Sequence, residues 1–130
     1  MEGAPKIRVI IADDDELVRK MVGAMIDDAP DLELVGVGDD ADQALELAAE
    51  HNPDVAVLDL NMPGGGGFGG AGAAVRIKAA FPDMRVLALT ASDDMETKMK
   101  LANMGADGYI VKGASREQIL AAIAGAMGVG

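Results

Sequence analysis

Apolar runs of strand length alternate with runs of helical spacing along the whole chain. Ile7–Ala12 (IRVIIA) is continuous and β-branched, the pattern of a strand covered on both faces. A helix is predicted after it over Glu16–Ile26, where Leu17, Val18, Met21, Val22, Met25 and Ile26 recur on one side. Leu32–Gly38 and Val55–Leu60 read as the second and third strands, Arg85–Thr90 as the fourth and Gly108–Val111 as a short fifth. The remaining helices are predicted over Ala41–Glu50, Ala71–Ala80, Asp93–Met104 and Ser115–Met127. Asp40 with Gln43, and Ser115 with Gln118, are spaced as capping boxes, whereas Asn52-Pro53, Pro82 and Gly105 are stop signals.

Such an alternation of strand and helix implies an α/β chain, a parallel sheet wound with helices on both faces. No linker or internal repeat divides residues 1–130, so the reading is one domain. Open sheets of this kind carry their sites at the carboxyl ends of the strands. Strand one ends in Asp13, Asp14 and Asp15, strand three in Asp59, strand four in Thr90 and strand five in Lys112.

Charge narrows the function. The chain has 22 acidic and 11 basic residues, a formal net charge of −11. That argues against direct nucleic-acid binding, which needs clustered Lys and Arg on phosphates. The only aromatics are Phe68, Phe81 and Tyr109, too few for a base-stacking platform. Cysteine is absent, which excludes a disulfide framework and thiolate metal sites. No apolar run approaches the roughly 20 residues of a membrane-spanning helix. The opening MEGAPKIRV lacks a charged-then-apolar leader, so a cytoplasmic location is expected. A solvated surface accounts for most of the acidity, but not for three acids directly behind a buried strand.

Carboxylates packed together repel one another and stay ionised when a cation joins them. An all-oxygen donor set suits Mg²⁺, which uses one or two carboxylates plus water and phosphate oxygens. Beside such a metal, Asp59 can act as a nucleophile and form an acyl phosphate. Phosphoryl transfer then needs positioning and charge neutralisation, which an ammonium and a hydroxyl at Lys112 and Thr90 would supply. Singly, each residue has a plainer reading: Asp15 as a helix cap, Thr90 as a strand residue, Lys112 as a solvated side chain. Four strand ends supplying one phosphate-binding kit together favour the site.

The segments IRVIIADDDELVR, PDVAVLDLNMPGG, VLALTA and GADGYIVKGAS, in this order, resemble the receiver domain of two-component response regulators over nearly the whole chain. The resemblance implies a flavodoxin-like (βα)5 fold with strand order 2-1-3-4-5. It implies Mg²⁺ held by Asp13, Asp14, Asp59 and the backbone carbonyl of Asn61, with Asp59 as phosphoacceptor. Lys112 would contact the phosphoryl oxygens. Thr90 would be the switch hydroxyl, and Tyr109 the aromatic that turns with it. The partner implied is a sensor histidine kinase or phosphotransfer protein. The output would be a reshaped face of helix four, strand five and helix five, with a homodimer through that face. No enzymatic turnover is expected beyond the domain's own phosphorylation and dephosphorylation.

Two segments depart from the family's pattern. Gly113 follows Lys112 where many receivers have proline; receivers joined to helix-turn-helix outputs often lack it, and KGAS resembles that subgroup. The stretch Gly64–Gly72 is longer than usual and almost all glycine, so a mobile loop is expected there. It matches G-x-G-x-x-G formally, but a dinucleotide fingerprint belongs after strand one, where the acids stand. A haloacid-dehalogenase-like phosphatase also uses an Asp nucleophile and Mg²⁺, yet its motif follows strand one and ends in Thr or Val, which Asp13–Leu17 does not supply. A degenerate receiver that binds partners without phosphorylation is the other alternative. His51 reads as a surface or cap residue, and the nine methionines as core filler.

Overall fold

In the computed structural model, which describes residues 5–128, five parallel strands form one sheet in the order β2-β1-β3-β4-β5. The strands are β1 (Ile7–Ala12), β2 (Leu32–Gly38), β3 (Val55–Asp59), β4 (Arg85–Thr90) and β5 (Gly108–Val111). The helices between and after them are α1 (Glu16–Asp28), α2 (Ala41–His51), α3 (Gly69–Ala80), α4 (Met95–Asn103) and α5 (Arg116–Ala126). This is the flavodoxin-like order expected.

Alternation along the buried strands builds two cores. Val9, Ile11, Val55, Val57, Leu87 and Leu89 pack with Val22 and Ile26 of α1 and Ile119 and Ile123 of α5. Ile10, Ala12, Ala56, Leu58 and Val86 pack with the small faces of α2 (Ala41, Ala44, Ala48) and α3 (Ala73, Ala74, Ile77). Each buried Leu, Ile or Val contributes about 1.5–3 kcal/mol relative to exposure, so these strands anchor everything at their ends. Among the described residues no helix is long and apolar enough to cross a membrane.

Several boundaries differ from the sequence reading. Strand β3 ends at Asp59 rather than Leu60, and α1 continues two residues beyond Ile26. Helix α4 starts at Met95, because Asp94 serves as its cap and accepts from the Thr97 N–H at 2.8 Å. The expected Asp40–Gln43 box is only half formed. Asp40 accepts from the Gln43 N–H at 2.8 Å, but the Gln43 side chain reaches past it to the Asp39 N–H at 2.9 Å. The Ser115–Gln118 box is complete.

The glycine stretch is not simply a loop. Gly65–Gly67 form a 3-10 turn, and α3 begins at Gly69, two residues earlier than expected. The Ala41 N–H of α2 donates to the Pro63 carbonyl at 2.8 Å, and the Gly65 N–H to the Asp42 carboxylate at 3.3 Å. Gly70 is buried, and a Cβ there would run into the backbone carbonyl of Asp59. Glycine is therefore what allows the first turn of α3 to lie against the end of β3.

The methionines follow expectation in part. Met62 and Met84 are buried and Met25 and Met127 pack against the first core, as core filler would, while Met95 and Met99 stand out on α4 and Met21 on α1. In α4 the only buried residue is Leu101.

Candidate phosphoacceptor site

The acids converge as the strand ends predict. One carboxylate oxygen from each of Asp13, Asp14 and Asp59 lies within 4.8 Å of the other two. Asp13 is fully buried, Asp59 is 2% exposed and Asp14 faces solvent. Asp15 takes no part in the cluster. It caps α1, accepting from the Leu17 N–H at 2.9 Å and the Val18 N–H at 3.3 Å, as its plainer reading had it.

Lys112 spans the pair of buried acids. Its Nζ lies 3.2 Å from Asp13 Oδ2 and 3.4 Å from Asp59 Oδ1. The Asp13 contact is an ion pair to a fully buried carboxylate oxygen. Asp13 Oδ1 is satisfied by the Asp15 N–H at 2.8 Å, and Asp59 Oδ1 by the Asn61 N–H at 3.2 Å. Burial raises the Asp59 pKa above its ordinary value of 3.8; the Asn61 N–H opposes this, Asp13 adds to it, and Lys112 opposes it. Burial alone would lower the Lys112 pKa, but the Asp13 and Asp59 carboxylates outweigh it and hold the ammonium above 10.5.

Three clustered carboxylates, two of them buried, are an all-oxygen donor set of the kind a hard cation takes. Such a set fits Mg²⁺, which retains water and substrate oxygens.

The other predicted residues are arranged less simply. Thr90 is buried at the end of β4, and its main-chain carbonyl accepts from the Lys112 N–H at 2.8 Å. Its hydroxyl is engaged in its own loop, donating to the Ser92 carbonyl at 2.8 Å and accepting from the Ser92 N–H at 3.3 Å. Tyr109 is half-buried on β5 and lines a cleft with Asp93, Ala114 and Gln118, apart from the acid cluster. Asn61 is exposed, and the contact it makes to Asp59 is through its N–H.

Gly113 takes φ +93°, which proline cannot adopt, so the chain after Lys112 turns differently from the proline-bearing pattern. Arg19 escaped the sequence reading: from α1 it donates to the Asp13 carbonyl at 2.6 Å. No motif signals this, because the contact depends on α1 folding back over the β1 end.

Comparison with known proteins settles the family. The sequence pattern of the response regulator receiver domain matches residues 9–124. The chain belongs to that family. This receiver domain is 36% identical over 117 residues to the response regulator GacA of Pseudomonas viridiflava, and 37% identical over 117 residues to the oxygen regulatory protein NreC of Staphylococcus haemolyticus. Each alignment covers 90% of this chain and 53% of the relative, so the chain spans about half the length of the curated relatives it matches. Among solved structures it superposes on the signal receiver domain of NarL from Mycobacterium tuberculosis with a TM-score of 0.86 and 34% identity, covering 96% of this chain and 99% of that one. A LuxR-family two-component response regulator from Aurantimonas sp. SI85-9A1 gives a TM-score of 0.84 at 30% identity, covering 95% of this chain and 87% of that one. Receiver domains are signalling modules of two-component systems, which sets the phosphatase alternative aside.

Proposed function

We propose that this receiver domain accepts a phosphoryl group onto Asp59 from a phosphohistidine on a partner kinase or phosphotransfer protein. The observation that carries this is the buried Asp59 carboxylate, grouped with Asp13 and Asp14 and approached by Lys112. An Asp59 carboxylate oxygen attacks phosphorus, forming a P–O bond as the P–N bond breaks, and the electron pair leaves with the imidazole. Asp13, Asp14, Asp59 and the Asn61 carbonyl would hold Mg²⁺. When bound, the ion supplies positive charge against the phosphoryl oxygens. Lys112 would follow a phosphoryl oxygen, since its Nζ already lies against Asp59.

Leu17 and Met21 stand exposed on α1, the helix that follows the Asp13–Asp14 pair, and would offer a donor protein apolar contact. The switch would begin when the Thr90 hydroxyl leaves Ser92 for the phosphoryl group, with Tyr109 responding. The α4–β5–α5 face would carry the output and pair two copies; on it Met95 is 71% and Met99 60% exposed. Beyond gaining and losing its own phosphoryl group, no turnover is proposed.

Incubation with acetyl phosphate and Mg²⁺, followed by mass spectrometry, tests the central step. A phosphoryl mass gain that Asp59→Asn abolishes is expected; no gain under any condition would make this a phosphorylation-independent binding module. Sedimentation tests the paired face, where equal coefficients for phosphorylated and unphosphorylated protein would rule the dimer out.

A further inference from the structure

Asp13 and Asp14 occupy the short turn between β1 and α1, and a residue outside the acid cluster grips that turn. Arg19, one helical turn into α1, reaches back so that its NH1 donates to the Asp13 main-chain carbonyl at 2.6 Å. This is a short, charge-assisted bond. The carbonyl belongs to the peptide that joins Asp13 to Asp14. Because a peptide unit is planar, a bond that holds its oxygen restrains the orientation of the whole unit from which Asp14 projects. Asp14 is exposed, so little besides its own backbone holds its carboxylate over the cluster. Asp13 is held from the other side as well, by the Asp15 N–H on Oδ1. Arg19 itself is half-buried in the groove between α1 and β2, beside Gly23, Leu34 and Val37, which limits its freedom to swing away.

We propose that Arg19 is a positioning residue for the metal-binding pair: through the Asp13 carbonyl it sets the orientation in which Asp13 and Asp14 present their carboxylates to Mg²⁺. This rests on reading the acid cluster as a Mg²⁺ site. Two effects of Arg19 on the ion have opposite signs. Its positive charge repels a second cation, so charge alone makes its removal strengthen Mg²⁺ binding. Its grip on the peptide orders the ligands, so positioning makes its removal weaken binding. Groups that orient metal ligands typically contribute about 10–100-fold to affinity.

Calorimetric titration of Mg²⁺ into the wild-type chain, Arg19→Ala and Arg19→Lys separates the two, with thermal melts in EDTA run alongside. Arg19→Ala is expected to bind Mg²⁺ about tenfold more weakly. Arg19→Lys keeps the charge and one donor, and should fall between alanine and wild type. If Arg19→Ala does not fold, Arg19→Gln, too short for the contact, is read in its place with the same expected loss. Affinity in Arg19→Ala equal to or tighter than wild type overturns the proposal, as does a lowered melting temperature with unchanged affinity, which marks a purely structural contact. A wild-type chain that takes up no Mg²⁺ overturns the reading of the site itself, and the role of Arg19 with it.

Discussion

Asp59 is held in the fold by opposing influences. Burial and Asp13 disfavour its charged form, while the Asn61 N–H and Lys112 favour it, and the balance leaves its pKa raised. A carboxyl with a folded pKa above its unfolded value lowers stability once pH exceeds the unfolded value. The penalty grows until pH passes the folded value, and vanishes below the ordinary 3.8. Metal-free Asp59→Asn should therefore melt a few degrees higher than wild type at pH 7, with the gain shrinking as pH falls toward the carboxylate range. Calorimetry in EDTA across pH checks this; a variant that melts lower at pH 7 contradicts it. At this scale Asp13, Asp14, Asp59 and Lys112 were legible in the sequence because each lies at or just beyond the carboxyl end of a strand. The Thr90–Ser92 bond and the grip of Arg19 on Asp13 were not, since rotamers and reach are decided by the surrounding packing.

Among the elements, helix α3 was read least well. Glycine propensity argued for a late start, yet the helix begins inside the glycine run because only glycine lets its first turn touch β3. Tertiary contact overrode local preference there. Gly70→Ala should cost about 1–3 kcal/mol in urea unfolding, because the added methyl is forced against the Asp59 carbonyl. Gly125→Ala is the matched comparison: it sits in α5 with open space around it and should gain about 0.5–1 kcal/mol. Equal effects at the two positions would remove Gly70 from any special place beneath Asp59. Caps were legible in part, since their signals are local: the Ser115–Gln118 box holds the start of α5 as expected, whereas the Asp40–Gln43 box is half formed and the Asp94 cap stands where the helix itself was expected.

At the scale of the whole molecule, stability is uneven. The central strands are buried on both faces, whereas α4 buries only Leu101 and ends in a turn in which the Gly105 N–H returns to Ala102 and the Ala106 N–H to Leu101. Hydrogen exchange should find the α4 amides opening well before those of β1 and β3. Protection of α4 equal to the strands would show it welded to the sheet and unsuited to a switch. The sequence by itself determined the alternation, the parallel sheet and the four strand ends that carry the acids, Thr90 and Lys112, because hydrophobic period and chain direction are local properties. Tertiary structure alone decided which of those groups touch. It set Lys112 against both Asp13 and Asp59, and brought Gly70 under Asp59 and Arg19 onto Asp13. These contacts arise where separate elements pack at the carboxyl edge of the sheet, and no local pattern encodes the distance between them.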